Sequence, residues 1–252
     1  MRYMAWGIAL TTNGSRIREA SALIVQANSP RVDAEDKPMT ALAVDVTFQV
    51  HFRDMSTLSP AAVIRKMPVK SFVHVDRLPG SPMAARKAAS RAVGNGLLLS
   101  VRRGLYYRGR PTRYGLTAPR ADEVARAVLG TRGLGPAGYS AARAWGVTTQ
   151  VPPVWHVATL RTVDPIDGVK QHERNNLARI DLNEKEIALL ELLRAPEVFI
   201  EGGWDTLVRK VRASARAGEV RVDLLRAAVP GEYNRAARDN FARLEAVALE
   251  AA

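Results

Sequence analysis

The sequence predicts an α+β protein, in which a strongly basic region is followed by a longer region of mixed α/β structure. Two observations lead to this prediction. Residues 57–118 hold twelve Lys and Arg side chains and a single acid, so they carry +11 of the total net charge of +12. Short helical patterns closed by Gly or Pro alternate with apolar runs of strand length over the rest of the chain. We call residues 57–118 the basic segment and residues 119–252 the C-terminal segment.

Composition narrows the class of protein. With 47% hydrophobic residues the chain can bury a core. No run approaches the roughly eighteen apolar residues of a membrane helix, and the chain has no cysteine for a disulfide or a thiolate metal site. We therefore expect a cytoplasmic protein with no membrane partner. Arg outnumbers Lys by 30 to 7, and Arg suits bidentate contacts to phosphate and guanine.

The first 54 residues have the weakest pattern. They balance at six basic and six acidic side chains, and only residues 43–52 resemble a strand. Met55 stands just before a clear domain start. We expect residues 1–54 to be a poorly ordered extension, or Met55 to be the true initiator; an ordinary ordered subdomain is the alternative.

The basic segment begins with a short helix. Ser59 can cap it and Pro60 fits its first position, so a helix over residues 61–67 is predicted. An extended piece over residues 72–75 and a small helix over residues 75–78 follow. Ser81 and Pro82 then start a longer helix over residues 83–93, which ends at a Gly-Asn-Gly sequence.

This longer helix has two contrasting faces. Small residues at helical spacing predict a face that packs closely on the domain: Ala85, Ala88, Ala89, Ala92 and Val93. Basic and hydrogen-bonding residues lie opposite or beside it, which is typical of a recognition helix for the DNA major groove. The predicted contacts of this helix are Ser81, Met83, Arg86, Lys87, Ser90 and Arg91. An ordinary solvated charged face is the alternative.

A basic hairpin follows the helix at once. Residues 97–101 and 105–108 read as two strands joined by an Arg-Arg-Gly turn. A basic helix followed by such a hairpin is typical of a winged helix-turn-helix, in which the hairpin lies over the DNA backbone beside the groove. The predicted phosphate or minor-groove contacts are Arg102, Arg103, Arg108, Arg110 and Arg113.

At this point the chain resembles a known family. The string SFVHVDRLPG–SPMAARKAASRAVGNGLLLSVRRGLYYRG resembles the DNA-binding domain of AbiEi-type antitoxins of type IV toxin–antitoxin (abortive infection) systems. The continuation PTRYGLTAP…GLGPAGYSAARAWGVTTQVP, with IALLELLR, resembles the C-terminal domain of the same group. The resemblance covers roughly residues 57–230.

The resemblance implies a function in phage defence. It implies a repressor that binds repeats of double-stranded DNA in its own promoter and counteracts a nucleotidyltransferase-like toxin encoded beside it. It assigns DNA binding to a winged helix-turn-helix domain, here residues 55–118. It assigns toxin neutralisation and cooperative operator binding to a C-terminal α/β domain, here residues 119–252.

The C-terminal segment is predicted to be more helical towards its end. Asn183, with Glu186 three residues later, predicts a capped helix start. Helices are predicted over residues 121–129, 137–145, 187–193, 206–217 and 234–249, and a buried strand over residues 154–160. The tryptophans Trp145, Trp155 and Trp204 read as core anchors.

No motif for chemistry stands out. Gly133, Gly135 and Gly138 match a dinucleotide-binding pattern, but a helix precedes them, so we expect them to shape a turn into the next helix. The four histidines lie far apart in sequence, and residues 172–176 read as a solvated loop or strand end. We expect no catalytic, cofactor or metal site, and a protein that is not an enzyme.

Two alternatives to the antitoxin function stay open. One is a free-standing regulator whose second domain senses a small molecule, and the other is an enzyme that modifies its partner.

Overall fold

Helices and three small sheets alternate over residues 58–249, which are the residues that the computed structural model describes. The chain is therefore an α+β protein, as predicted. The predicted extension over residues 1–54, with its strand at residues 43–52, lies outside the described residues.

The basic segment contains two capped helices. Ser59 and Ser81 each accept a hydrogen bond from a backbone N–H of the first turn, and a proline occupies the first helical position after each cap. Both predicted helices are thus confirmed. In chain order the elements are α1 (Pro60–Lys66), β1 (Ser71–His74), a 3-10 helix (Val75–Arg77), α2 (Pro82–Gly94), β2 (Leu99–Arg102), β3 (Leu105–Arg108), β4 (Pro111–Thr112) and β5 (Gly115–Leu116).

Strands β1, β2 and β3 form one antiparallel sheet with β3 in the middle. Tyr107 lies opposite Phe72 on one side and Leu99 on the other. The rings of Phe72 and Tyr107 are 4.8 Å apart between centroids. The hairpin predicted over residues 97–108 is confirmed, and β4 and β5 add a second hairpin that was not predicted.

The small-residue face of α2 packs inward, as predicted. Ala85, Ala89 and Ala92 are at most 5% exposed, and Ala85 and Ala92 pack in one cluster with Ile64 and Leu98. Alanine side chains let the helix backbone approach its neighbours closely, so the orientation of α2 is determined by packing on that side.

The C-terminal segment is mostly helical. The helices predicted over residues 121–129, 137–145, 187–193 and 206–217 are confirmed to within a few residues, whereas the last predicted helix ends as an α-helix at Leu244 and continues as one π-helical turn. The elements are α3 (Ala121–Leu129), β6 (Gly135–Pro136), α4 (Gly138–Trp145), β7 (Trp155–Thr159), β8 (Val169–Glu173), a 3-10 helix (Leu177–Asp181), α5 (Glu184–Leu192), α6 (Pro196–Phe199), α7 (Gly203–Arg216), α8 (Val222–Ala228), a 3-10 helix (Val229–Gly231), α9 (Arg235–Leu244) and the π-helical turn (Glu245–Leu249).

Helix α5 is the centre of the largest core. Its residues from Glu186 to Leu192 are all buried, and α4, α7, α8 and α9 contribute to the same cluster. The predicted cap is confirmed: Asn183 accepts from the backbone N–H of Glu186, and the Glu186 carboxylate accepts from the N–H of Asn183. Trp145 is 4% exposed, as expected of a core anchor.

The third of the small sheets, formed by β6, β7 and β8, lies beside this core. Strand β7 pairs antiparallel with β6 and parallel with β8. His156 on β7 and His172 on β8 face each other, with 3.2 Å between Nδ1 and Nε2. Burial lowers the pKa of both imidazoles, and nearby positive charge, of Lys170 for His156 and chiefly of Arg174 for His172, lowers it further. Both effects favour the neutral imidazoles.

A cluster of buried apolar side chains joins the basic segment to the C-terminal segment. Leu129, Val157 and Ile166 of the C-terminal segment are buried in it, and Phe72 and Val101 from the sheet of the basic segment pack against it. The predicted domain boundary at residue 118 stays a prediction, but apolar side chains are packed across it.

The glycines of the dinucleotide-like pattern serve close packing. A Cβ at Gly133 would lie 2.5 Å from a methyl of Leu160, and one at Gly135 would lie 2.6 Å from the Cβ of Ile187. Beside Gly135 is a shallow depression with a cavity volume of only about 10 Å³, whose wall includes Asp122 and Glu184. Arg126 also lines it, but its guanidinium is already bonded to both carboxylates. Close packing therefore explains Gly133, against Leu160, and Gly135, against α5.

This packing makes Gly135 intolerant of a side chain. We expect Gly135→Ala to lower the free energy of unfolding by about 1–3 kcal/mol, because the new methyl group must displace Ile187 or the backbone of α5. Gly94→Ala is the matched control, because Gly94 lies at the end of α2 with no atom within 4 Å of the new Cβ; it should be neutral or stabilising by about 0.5–1 kcal/mol. Urea unfolding of both variants measures the contrast, and equal losses would refute it.

Candidate nucleic-acid interface

The outer face of α2 is open to solvent. Every predicted contact on this helix is exposed: Ser81, Met83, Arg86, Lys87, Ser90 and Arg91. Met83 is 78% exposed, although it is a large apolar side chain. Ser81 also has a structural task, because its hydroxyl oxygen accepts the Ala84 N–H at 3.2 Å. The helix therefore presents a row of donors and one apolar tip on the side away from its alanines.

The two arginines of the first hairpin differ in their surroundings. Arg103 is exposed at the turn, whereas Arg102 is half-buried, with its Nη2 3.6 Å from the Oδ2 of Asp164 in the C-terminal segment. Gly104 completes the turn with a φ of 79°, and a Cβ there would lie 3.2 Å from the ring of His74. Arg103 is thus the freer of the two for a phosphate, and Arg102 already has an acidic neighbour.

Arg108 is placed differently from the other predicted contacts. Its Nη1 donates to the backbone carbonyls of Ile64 and Arg65, at 3.2 and 2.7 Å, and to that of Met67. These are orphan carbonyls of the last turn of α1, which need donors from outside the helix. Arg108 therefore closes the end of α1, a structural task that the sequence pattern did not indicate.

Arg110 and Arg113 belong to the second hairpin and are both exposed. The guanidinium carbon of Arg113 lies 4.6 Å from the ring centroid of Tyr114, which is 83% exposed at the tip. The sequence pattern indicated the two arginines, but not the strands that present them or the aromatic ring beside them.

Positive charge predominates on this face, although Asp164 lies beside Arg102. Residues 77–121 contain ten Lys and Arg and no acid, and the next acid, Asp122, is bonded to Arg126 in the C-terminal segment. Such a surface attracts polyanions and concentrates them near α2 and the hairpins. Its exposed members suit phosphate oxygens, and Lys87 and Ser90 also suit base edges.

Two other kinds of feature, a metal centre and a membrane-spanning helix, are not found among the residues that the structure describes. Residues 58–249 contain no group of three or more His, Asp or Glu side chains arranged to hold a metal ion. Within the same range, no helix is both long and apolar enough to cross a lipid bilayer.

Comparisons with known proteins show similarity to solved structures. No protein-family model matches the chain, and no curated protein matches it either. The chain is similar to the crystal structure of the RV2827C protein from Mycobacterium tuberculosis, with 17% sequence identity and a TM-score of 0.42. The match covers 75% of this chain and 78% of that one.

Proposed function

We propose that this protein is a cytoplasmic DNA-binding antitoxin, which represses its own operon and counteracts a nucleotidyltransferase-like toxin. The observation that carries the DNA-binding half is the exposed basic face of α2, held outward by a buried alanine face and flanked by basic hairpins without an acid between residues 77 and 121. The second part of the proposal, neutralisation of the toxin, is supported by the resemblance of the C-terminal segment to AbiEi-type antitoxins.

In this proposal the basic segment acts as a winged helix-turn-helix. Helix α2, about 20 Å long by its thirteen residues, enters the major groove, which is wide enough for an α-helix. Lys87 and Ser90 project from the centre of its outer face and read base edges. Arg103 at the tip of the first hairpin binds the neighbouring backbone and positions the protein without reading sequence.

The C-terminal segment then has its own task, the neutralisation of the toxin. Its large core around α5 supports a surface that is distinct from the basic face. The apolar cluster that includes Phe72 and Val101 joins this segment to the DNA-binding sheet, so the two segments pack against each other.

Substitutions of Lys87 and Arg103 test this proposal, because it gives the two side chains different roles. We expect Lys87→Ala to cost about 1–3 kcal/mol of binding free energy on promoter DNA and to narrow the preference over random DNA. Arg103→Ala should weaken binding to both DNAs by similar factors. Titrations over a range of salt should give a slope of log affinity against log salt near −5 if about six phosphates are neutralised, and Arg103→Ala should reduce its magnitude by about one.

Arg235→Ala provides the control, because Arg235 is an exposed arginine of α9, outside the proposed interface. It should leave both affinities unchanged. Equal loss of specificity from Lys87→Ala and Arg103→Ala would remove the division between base and phosphate contacts. A salt-independent affinity of the wild type for DNA would count against the proposal as a whole.

A further inference from the structure

Tyr114 is a large aromatic side chain that the fold does not use. It is 83% exposed at the tip of the β4–β5 hairpin, and only part of its face is covered, by the guanidinium of Arg113 at 4.6 Å from the ring centroid. A ring in this position buries little area and adds little to the stability of the protein. Together with the guanidinium of Arg113, it forms an exposed surface that combines positive charge with an aromatic ring.

The hairpin holds this tip firmly. The Thr112 hydroxyl donates to the Gly115 carbonyl at 2.7 Å and accepts the Tyr114 N–H at 3.2 Å. At the base of the hairpin, Arg110 and Thr117 exchange two hydrogen bonds of 2.9 Å each. The tip is therefore ordered before any partner arrives, which lowers the entropy cost of binding through it.

The base of the hairpin is also fixed by a close crossing of the chain. A Cβ at Gly109 would lie 2.2 Å from the carbonyl oxygen of Thr117. Only a glycine lets the two chain segments approach so closely. The direction in which the hairpin leaves β3 is thus set by the backbone.

The register of the sheet places the two hairpins at opposite ends of β3. The first hairpin turns at Gly104, before β3 begins, and the second follows Arg108, where β3 ends. The C-terminal end of α2 lies near the second hairpin, because Leu98 N–H bonds to the Ala92 carbonyl and Leu99 pairs with Tyr107. The second hairpin therefore leaves the sheet at the end of β3 that is nearer the C-terminal end of α2.

The charge around the second hairpin identifies the class of partner. Arg110 and Arg113 are exposed, and the acid-free stretch of residues 77–121 includes the whole hairpin. A narrow minor groove attracts inserted arginines through its enhanced negative potential, and apolar side chains inserted beside them widen or kink it. Arg113 stacked on Tyr114 combines these two features.

We propose that the tip of the β4–β5 hairpin is a second DNA contact, at which Arg113 enters the minor groove next to the major-groove site and Tyr114 packs against the sugars and base edges there. This inference rests on the proposed DNA-binding function and adds a specific residue and groove to it. Such a contact would respond to the width of the minor groove beside the major-groove site.

The first test measures affinity for a duplex taken from the DNA upstream of the coding sequence. Tyr114→Ala should weaken binding about tenfold, and Tyr114→Phe, which keeps the ring, should recover most of that loss. Tyr233→Ala is the matched control, because Tyr233 is also 83% exposed but lies in the C-terminal segment. It should bind the duplex as the wild type does, and all three variants should give the circular dichroism spectrum of the wild type.

The second test locates the contact. Tyr114 is replaced by the photo-crosslinker p-benzoylphenylalanine, and Tyr233 is replaced in the same way as the control. Irradiation with the duplex should attach position 114, and not position 233, to DNA beside the site that wild-type protein protects from cleavage.

The outcomes separate this inference from the proposed function. If Arg86→Glu with Lys87→Glu removes binding while Tyr114→Ala keeps wild-type affinity, the hairpin contact is wrong and the DNA-binding function stands. If position 114 crosslinks in cells to a protein and not to DNA, the tip is a protein-docking surface and the inference is overturned. If the wild type does not bind the duplex, both proposals fall.

Discussion

Reversing the two adjacent charges of α2, by Arg86→Glu together with Lys87→Glu, is expected to abolish promoter binding and leave protection from the toxin intact. Both side chains are exposed on the outer face of the helix. Glutamates there would face the DNA phosphates, where attraction becomes repulsion, so affinity should fall by about a hundredfold or more. A change of this size far exceeds the effect of removing one contact.

The fold should survive this double substitution. Ala85, Ala89 and Ala92 carry the packing of α2 and are unchanged. Exposed substitutions away from caps and cores usually change the free energy of unfolding by no more than about 0.5 kcal/mol. Loss of binding can then be attributed to charge, provided that the urea unfolding curve of the variant overlays that of the wild type.

Growth of cells that carry the induced toxin is the measurement, with output from a promoter reporter recorded beside it. The antitoxin variant is supplied from an unrelated promoter, so that loss of autorepression does not change its dose. Protection should persist while the reporter is derepressed. Arg209→Glu with Lys210→Glu is the control, because it reverses a second adjacent Arg-Lys pair, on α7, and changes the net charge equally; promoter binding should be retained.

A stable double variant of α2 that fails in both assays would mean that the basic segment also handles the toxin. The division of tasks between residues 55–118 and residues 119–252 would then have to be abandoned. Protection that is lost only when the antitoxin is expressed from its own promoter would instead trace the defect to dose.

Arg179→Met is expected to be the most destabilising single substitution among those considered. The guanidinium of Arg179 is 1% exposed and donates to both oxygens of Glu232, at 2.6 and 2.8 Å, and to Glu191 at 2.8 Å. Arg174 also donates to Glu191, at 2.8 Å to Oε1 and 2.6 Å to Oε2. Removal of the central cation leaves a buried carboxylate without its main partner, which costs about 3–5 kcal/mol.

The control for this substitution is an exposed ion pair. Arg235 and Asp239 lie one turn apart on α9, and both are mostly exposed, so Arg235→Met should cost no more than about 0.5 kcal/mol. A second comparison uses Glu232→Gln in the Arg179→Met background. If the loss arises from an unpaired buried charge, the neutral amide should restore part of the stability; no recovery would mean that Arg179 acts through packing alone.

The pH dependence gives an independent check. Burial by itself would raise the pKa of Glu191, but the hydrogen bonds and charges of Arg174 and Arg179 outweigh it and hold the pKa below its usual value. A carboxylate with a lowered folded-state pKa stabilises the fold fully above its unfolded pKa and loses that contribution as the pH falls through the folded value. The gap in unfolding free energy between the wild type and Arg179→Met should therefore narrow on acidification from pH 7 towards pH 3.

Local features of this protein could be predicted from its sequence. The caps at Ser59, Ser81 and Asn183 and the buried alanine face of α2 were all predicted, because each depends on residues within one or two helical turns. The concentration of positive charge in residues 57–118 could likewise be predicted, because it follows directly from the sequence. These features define the outer face of α2 without any knowledge of its neighbours.

Contacts between residues that are distant in sequence could not be predicted from such local patterns. The parallel pairing of β7 with β8 and the joining of Phe72 and Val101 to the C-terminal segment depend on which apolar faces meet after the chain folds. The second hairpin escaped prediction because each of its strands is only two residues long, too short for a pattern.

The arginines illustrate the same division most clearly. The positions of the arginines in the chain show where positive charge accumulates, since every arginine carries the same charge, but they do not distinguish Arg103 from Arg108. In the folded protein Arg103 faces solvent, whereas Arg108 bonds to the carbonyls at the end of α1. Arg179 lies in the core between two glutamates. A guanidinium takes its role from the acceptors within reach of it, and those acceptors are brought there by the fold.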